Sequence, residues 1–146
     1  MTAVELQSRL QPLLNLQVLQ ELTAKIILND QAPLKDKKIS EWEKGQRPDG
    51  TDIGHYRSKA YELYKYQLNP LAYGTVDLLL TRQTASTLFV HRGSQNGGFI
   101  FGMNDTHNLI GRYGKDILGL NKQWFDNRQS AFYRLQLIQE IQTQLR

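Results

Sequence analysis

With 146 residues, 40% of them hydrophobic and 22% charged, the chain has enough length and apolar content for one folded domain and is not composed like a disordered one. It contains no cysteine, which excludes disulfides, thiolate metal sites and cysteine nucleophiles. The net charge of +4, from 18 basic and 14 acidic residues, is spread along the chain, so it attracts polyanions generally without marking a nucleic-acid groove.

The opening MTAVELQSRLQPLL lacks the basic start and apolar run of a secretory signal. No apolar stretch reaches the roughly 18–20 residues of a membrane span. The expectation is a soluble chain made in the cytoplasm, with no membrane partner.

Residues 2–30 carry helical spacing. Leu6, Leu10, Leu13 and Leu14 form one stripe, which Leu19, Leu22 and Ile26 continue. Pro12 predicts the end or a kink of a first helix, and Asn15 is placed to cap a second. The pattern breaks around Pro33 and resumes over residues 37–44, where Ile39 and Trp42 share a face. Gly45 suits a left-handed helix stop, and Pro48-Asp49-Gly50 is a turn sequence.

Residues 45–81 hold five of the seven tyrosines, interleaved with Arg and Lys. A helix over residues 58–66 is favoured there, although Tyr64 and Tyr66 also alternate as in a strand. Asn69-Pro70 closes it, because the residue before proline is pushed out of the α region. Three short runs, 75–80, 87–91 and 99–103, read as strands, with Asn96-Gly97-Gly98 as a hairpin turn. Residues 106–113 suit a short helix capped by Asp105 or Thr106 and stopped by Gly114, and 116–120 an edge strand or tight connection. From Asn121 onward Trp124, Ala131, Leu135, Ile138 and Leu145 recur at helical intervals, for a helix of about 35 Å at about 1.5 Å per residue. The expected class is α+β: an antiparallel sheet of three to four strands against the N-terminal helices and a long C-terminal helix. One domain covers 1–146, with 45–74 an extended loop or arm before the sheet.

No pattern carries out chemistry. His55, His91 and His107 lack metal-site spacing and an acidic neighbour at catalytic spacing. The Gly93–Gly98 region leads into a strand rather than a helix, so it does not cradle phosphate. No catalytic residue, metal or cofactor is expected. The aromatic and basic set is what remains, and Arg and Tyr are residues that interfaces prefer. The candidate contact residues are Arg47, Tyr56, Arg57, Tyr61, Tyr64 and Tyr73. The same alternation over residues 47–66 also suits a nucleic-acid-binding module, because tyrosines stack on bases.

Four fragments follow in order: WEKGQRPDGTDIGHY (42–56), Y-x-x-Y-K followed by L-N-P (61–70), V-D-L-x-L-T (76–81) and YGKDILGL (113–120) ahead of a last helix. In this order they resemble the virion-morphogenesis or tail-completion proteins of tailed bacteriophages. Arg82 departs from the class, many of whose members carry glycine after the threonine. The resemblance implies a non-enzymatic structural protein of the virion, forming a homo-oligomeric ring at the neck. Such a ring joins the portal or adaptor to the tail tube, and its basic residues touch packaged DNA weakly at most. Residues 45–74 would then form the limb that reaches a neighbour.

Overall fold

A computed structural model describes residues 1–13, 15–78, 83–92 and 99–146, and all but the side chain at Gln83 among them. The chain is α+β and mostly helical. Helices α1 (Ala3–Leu13), α2 (Leu16–Asn29) and α3 (Gln31–Glu43) come first, followed by α4 (Lys59–Leu68) and a one-turn α5 (Gln83–Ser86). Strands β1 (Phe89–Arg92) and β2 (Phe99–Gly102), a short α6 (Leu109–Tyr113), and a C-terminal helix complete the order. That last helix is built from α7 (Lys122–Arg128), a π turn (Gln129–Tyr133) and α8 (Arg134–Leu145).

Local chemistry accounts for most of these boundaries. Pro12 stands in the last turn of α1, and the Asn15 side chain accepts from the Gln17 amide to start α2. Pro33 does not break the chain as its residue type suggested. It is the third residue of α3, where the amide it lacks would have had no acceptor within the helix. Gly45 and Gly114 take φ of 64° and 89° at the ends of α3 and α6. The Asp105 carboxylate accepts from Leu109 and Ile110 amides, so α6 begins three residues later than its sequence suggested.

The sheet has two strands among the described residues, fewer than the three to four expected. They pair antiparallel, Val90 opposite Phe101 and Phe89 opposite Gly102. Leu88, Val90 and Phe101 face the core while Phe89 and His91 face outward, the alternation of a sheet with one covered face. A Cβ at Gly102 would lie 2.3 Å from the exposed Phe89 ring, which would have to turn aside to admit it. The hairpin turn at 93–98, the stripe residue Leu14 and the end of the run 75–80 lie outside the described residues. Thr75, Val76, Asp77 and Leu78 are described and are not the strand expected: all four are buried, without the alternation of a half-covered strand. Residues 116–120 form neither strand nor bridge but a 3₁₀ turn (Lys115–Leu118).

The core gathers Ile27, Leu34, Trp42, Ile53, Val76, Leu88 and Ile117 around the inner face of the hairpin. Polar groups inside it tie remote segments together. Lys38 is wholly buried: its ammonium donates to Glu41 Oε2 and to the Gly119 carbonyl. The Trp42 indole donates to the Ile117 carbonyl at 2.9 Å, and Glu41 Oε1 accepts from the Asn121 amide. Asn121 in turn caps α7 through the Trp124 amide. Burial holds the Lys38 ammonium below its ordinary pKa, although Glu41 opposes the shift.

A second buried cluster joins the α2–α3 corner to the last helix. Asp30 accepts from the Arg128 guanidinium through two nitrogens and from the Tyr133 hydroxyl at 2.6 Å. Arg128 and Tyr133 are five residues apart, about 140° around an α-helix and on different faces. The π turn between them, with its i→i+5 bonding, brings both to one carboxylate.

Burial and the hydrogen bond to Asp30 push the Tyr133 hydroxyl well above its ordinary pKa of 10.0. A group whose folded pKa is raised contributes stability that is complete below the unfolded value and disappears as pH rises through the folded one. Unfolding free energy from urea titrations is therefore expected to fall above about pH 10 in the wild type, and to fall less steeply in Tyr133→Phe. At pH 7 the same substitution costs about 1–2 kcal/mol for the lost hydrogen bond. Parallel curves for the two proteins above pH 10 would contradict this assignment.

Candidate functional site

Helix α4 is attached to the body by charge rather than by apolar packing. Ser58 caps its start, accepting from the Tyr61 amide at 3.3 Å, and Asn69 closes its end in extended conformation. Its one buried side chain is a lysine. The Lys65 ammonium meets Asp77 Oδ1 at 2.6 Å, and Asn69 Nδ2 donates to Asp77 Oδ2 at 3.0 Å and to the Glu43 carbonyl at 2.7 Å. Asp77 is thus the post to which α4 is fastened, and its own amide donates to the Tyr56 hydroxyl.

That arrangement leaves the apolar side chains of α4 and of the following 3₁₀ turn (Pro70–Ala72) outside. Leu63 and Leu68 are each 60% exposed, Leu71 63% and Tyr73 73%, with Tyr64 and Tyr66 exposed beside them. The tyrosines support one another: Tyr66 meets Tyr73 edge-on at 4.9 Å, and Tyr61 bridges Tyr56 at 5.1 Å and Tyr64 at 6.1 Å. Four large apolar side chains exposed by 60% or more over residues 63–73, with tyrosines beside them, form the kind of surface that a partner covers.

The six expected contact residues separate into three sets. Tyr61, Tyr64 and Tyr73 lie on the exposed face. Arg47 and Tyr56 belong to the body in the single chain. Arg47 donates to Asp116, to the Tyr113 carbonyl at 2.7 Å and to the Ile53 carbonyl at 2.9 Å. Tyr56 is half-buried, and burial first, with the Asp77 charge second, raises its pKa far above the ordinary value. Residues 45–57 run back against the body: Gln46 bridges to Asp52, Ile53 is in the core, and the Gly54 carbonyl accepts from Val76. Helix α4 resolves the helix-or-strand ambiguity of 55–68 in favour of the helix.

Arg57, the sixth residue, is exposed on a cleft of about 720 Å³ whose walls also include Arg47, His55, Tyr56, Arg112 and Tyr113. Arg112 escaped the sequence reading because it lies far along the chain from the Arg/Tyr segment, with nothing beside it to mark it. His55 Nδ1 is 2.7 Å from the Gly74 carbonyl, which can only accept, so this nitrogen carries the proton. His107 lies on an adjoining cleft, His91 is on the outer face of β1, and no group of three potential ligands for a metal occurs among the described residues. No described helix is long and apolar enough to cross a membrane. The chain matches no family model, no curated protein and no solved structure.

Replacing Lys65 by methionine keeps the bulk of the stem and removes the charge that Asp77 meets. Breaking a buried pair from one side costs about 3–5 kcal/mol. Since α4 has little else beneath it, that cost is expected to be felt locally. Amide exchange over residues 59–68 of Lys65→Met is expected to accelerate on the order of a hundredfold, with β1 and β2 much less affected. Unchanged protection in α4 would show that something other than this pair fastens it.

Proposed function

We propose that the protein is an assembly subunit whose copies meet through the leucine–tyrosine face of α4 and the 3₁₀ turn after it. The observation that carries this reading is the mode of attachment of α4. A helix whose only buried side chain is Lys65 contributes almost no apolar surface to its own core. Its leucines then stay outside the chain's own core, and covering each one is worth about 1.5–3 kcal/mol to whatever covers it. A second copy is the occupant we favour, since Tyr- and Leu-bearing surfaces of this kind are common where like subunits join.

The fragments at 42–56, 61–70, 76–81 and 113–120 supply the setting. On their resemblance to tail-completion proteins, the assembly is a ring at the head–tail junction of a tailed phage, between the portal or adaptor and the tail tube. The protein is then a virion component without enzymatic activity. This reading is favoured over a nucleic-acid module acting through residues 47–66 as a whole, because Arg47 is engaged within the chain and Lys65 is buried against Asp77. Neither side chain is available to a phosphate backbone.

Sedimentation velocity over a concentration series, alone and with portal or tube proteins, tests the proposal. The wild-type chain is expected to form a symmetric oligomer. Leu63→Glu, at a position too exposed to disturb folding, is expected to weaken association by at least about tenfold, with an unchanged circular dichroism spectrum. A wild-type chain that stays monomeric throughout, or a variant that associates equally well, would contradict it.

A further inference from the structure

The cleft beside residues 53–57 has a chemistry that the α4 face does not use. Three arginines and a histidine line it, and no Asp or Glu does. Arg47 is bound by Asp116 and by backbone carbonyls, so it forms wall rather than ligand. Arg57 and Arg112 are different: both are exposed, and neither side chain makes an ion pair or hydrogen bond among the described residues. His55, with Nδ1 turned to the Gly74 carbonyl, keeps Nε2 without a protein partner there. Two guanidinium groups from remote segments therefore face one space without a counter-charge. Their fork of donors matches the oxygens of a phosphate.

Tyr56, Arg112 and Tyr113 also form one side of a second cleft of about 200 Å³, completed by Val76, Leu78, Leu109 and His107 among others. Asp77 lines this second cleft, where its carboxylate already holds Lys65 and Asn69. A carboxylate there repels an anion but not a neutral ring. The two halves thus differ in what they accept: anion on the arginine side, flat apolar ring on the side of tyrosine and leucine.

We propose that the joined clefts bind a nucleotide unit, with its phosphate on Arg57 and Arg112 and its base against the Tyr56 and Tyr113 rings and Leu109. The unit is either a free nucleotide or one residue of a single-stranded nucleic acid. The site is complete within one copy of the chain, so it stands whether or not copies associate through α4.

The test is a low-salt titration of the full chain with a fluorescein-labelled thymidine dodecamer, with dTMP and with inorganic phosphate. Wild type is compared with Arg57→Gln, Arg112→Gln and, as a charge control on another part of the surface, Lys25→Gln. Each arginine substitution is expected to weaken binding of the nucleotide probe on the order of tenfold, and Lys25→Gln less than about twofold. With two phosphate contacts, dodecamer binding should fall with salt at a log–log slope of about −1.4. Equal affinity for dTMP and dodecamer assigns the free nucleotide, and binding of the dodecamer alone assigns the nucleic acid. Absence of binding by both nucleotide probes would overturn the proposal. So would equal weakening by Lys25→Gln, or phosphate competing as well as dTMP.

Discussion

The ion pair between Lys38 and Glu41, sealed inside the domain, is the contact on which the other parts of the molecule depend. Its lysine holds the Gly119 carbonyl and its glutamate the Asn121 amide, so one turn of α3 grips the segment from which the last helix departs. Asn121 then caps that helix, and further along it Arg128 and Tyr133 return to Asp30, at the corner where α3 begins. The front and back of the sequence are thereby closed into one loop of polar contacts around an apolar centre. Buried pairs of this kind add little net stability, because desolvation offsets most of their attraction. What they supply here is direction: a carboxylate accepts from few angles, so each pair fixes how two segments meet.

Asp77 applies the same solution a third time, and with a different consequence. Lys38 and Asp30 sit beneath elements that also bury leucine, tryptophan or tyrosine. Lys65 has no such company within α4. The helix is consequently located as firmly as a buried pair can locate it, yet its apolar residues stay in water. A surface helix usually turns its apolar stripe inward and its charges outward. In α4 a charge has taken the inward position, which is why the leucines and tyrosines are available to a second molecule.

Caps and turns were legible in the sequence because they depend on one residue and its immediate neighbours. Asn15, Asn121 and Gly45 act where their chemistry indicated, and Gly50, at φ 85°, completes the turn after Pro48. The misreadings concern residues whose role is set from a distance. Val76-Asp77-Leu78 alternates in polarity like a half-buried strand, but Asp77 is polar because Lys65 and Asn69 come to it inside the protein. Pro33 reads as a break until its position within the first turn of α3 is known. The π turn leaves no periodic trace, since the apolar residues on either side of it still fit a helix. The tyrosine-rich segment was evident from composition but not which of its rings are exposed, and Arg112 became part of the cleft only when α6 was folded against residues 53–57.

Because the chain has no cysteine, one introduced thiol reports on a single surface position. Leu63→Cys places it at an exposed position of α4, and Lys25→Cys places it on α2. With a benzophenone maleimide attached to that thiol, the account predicts that irradiating the assembled protein joins Leu63→Cys to the neighbouring copy and leaves Lys25→Cys chains separate. Equal cross-linking at the two positions, or none at Leu63→Cys in an assembly shown to be intact, would contradict the claim that copies meet through α4.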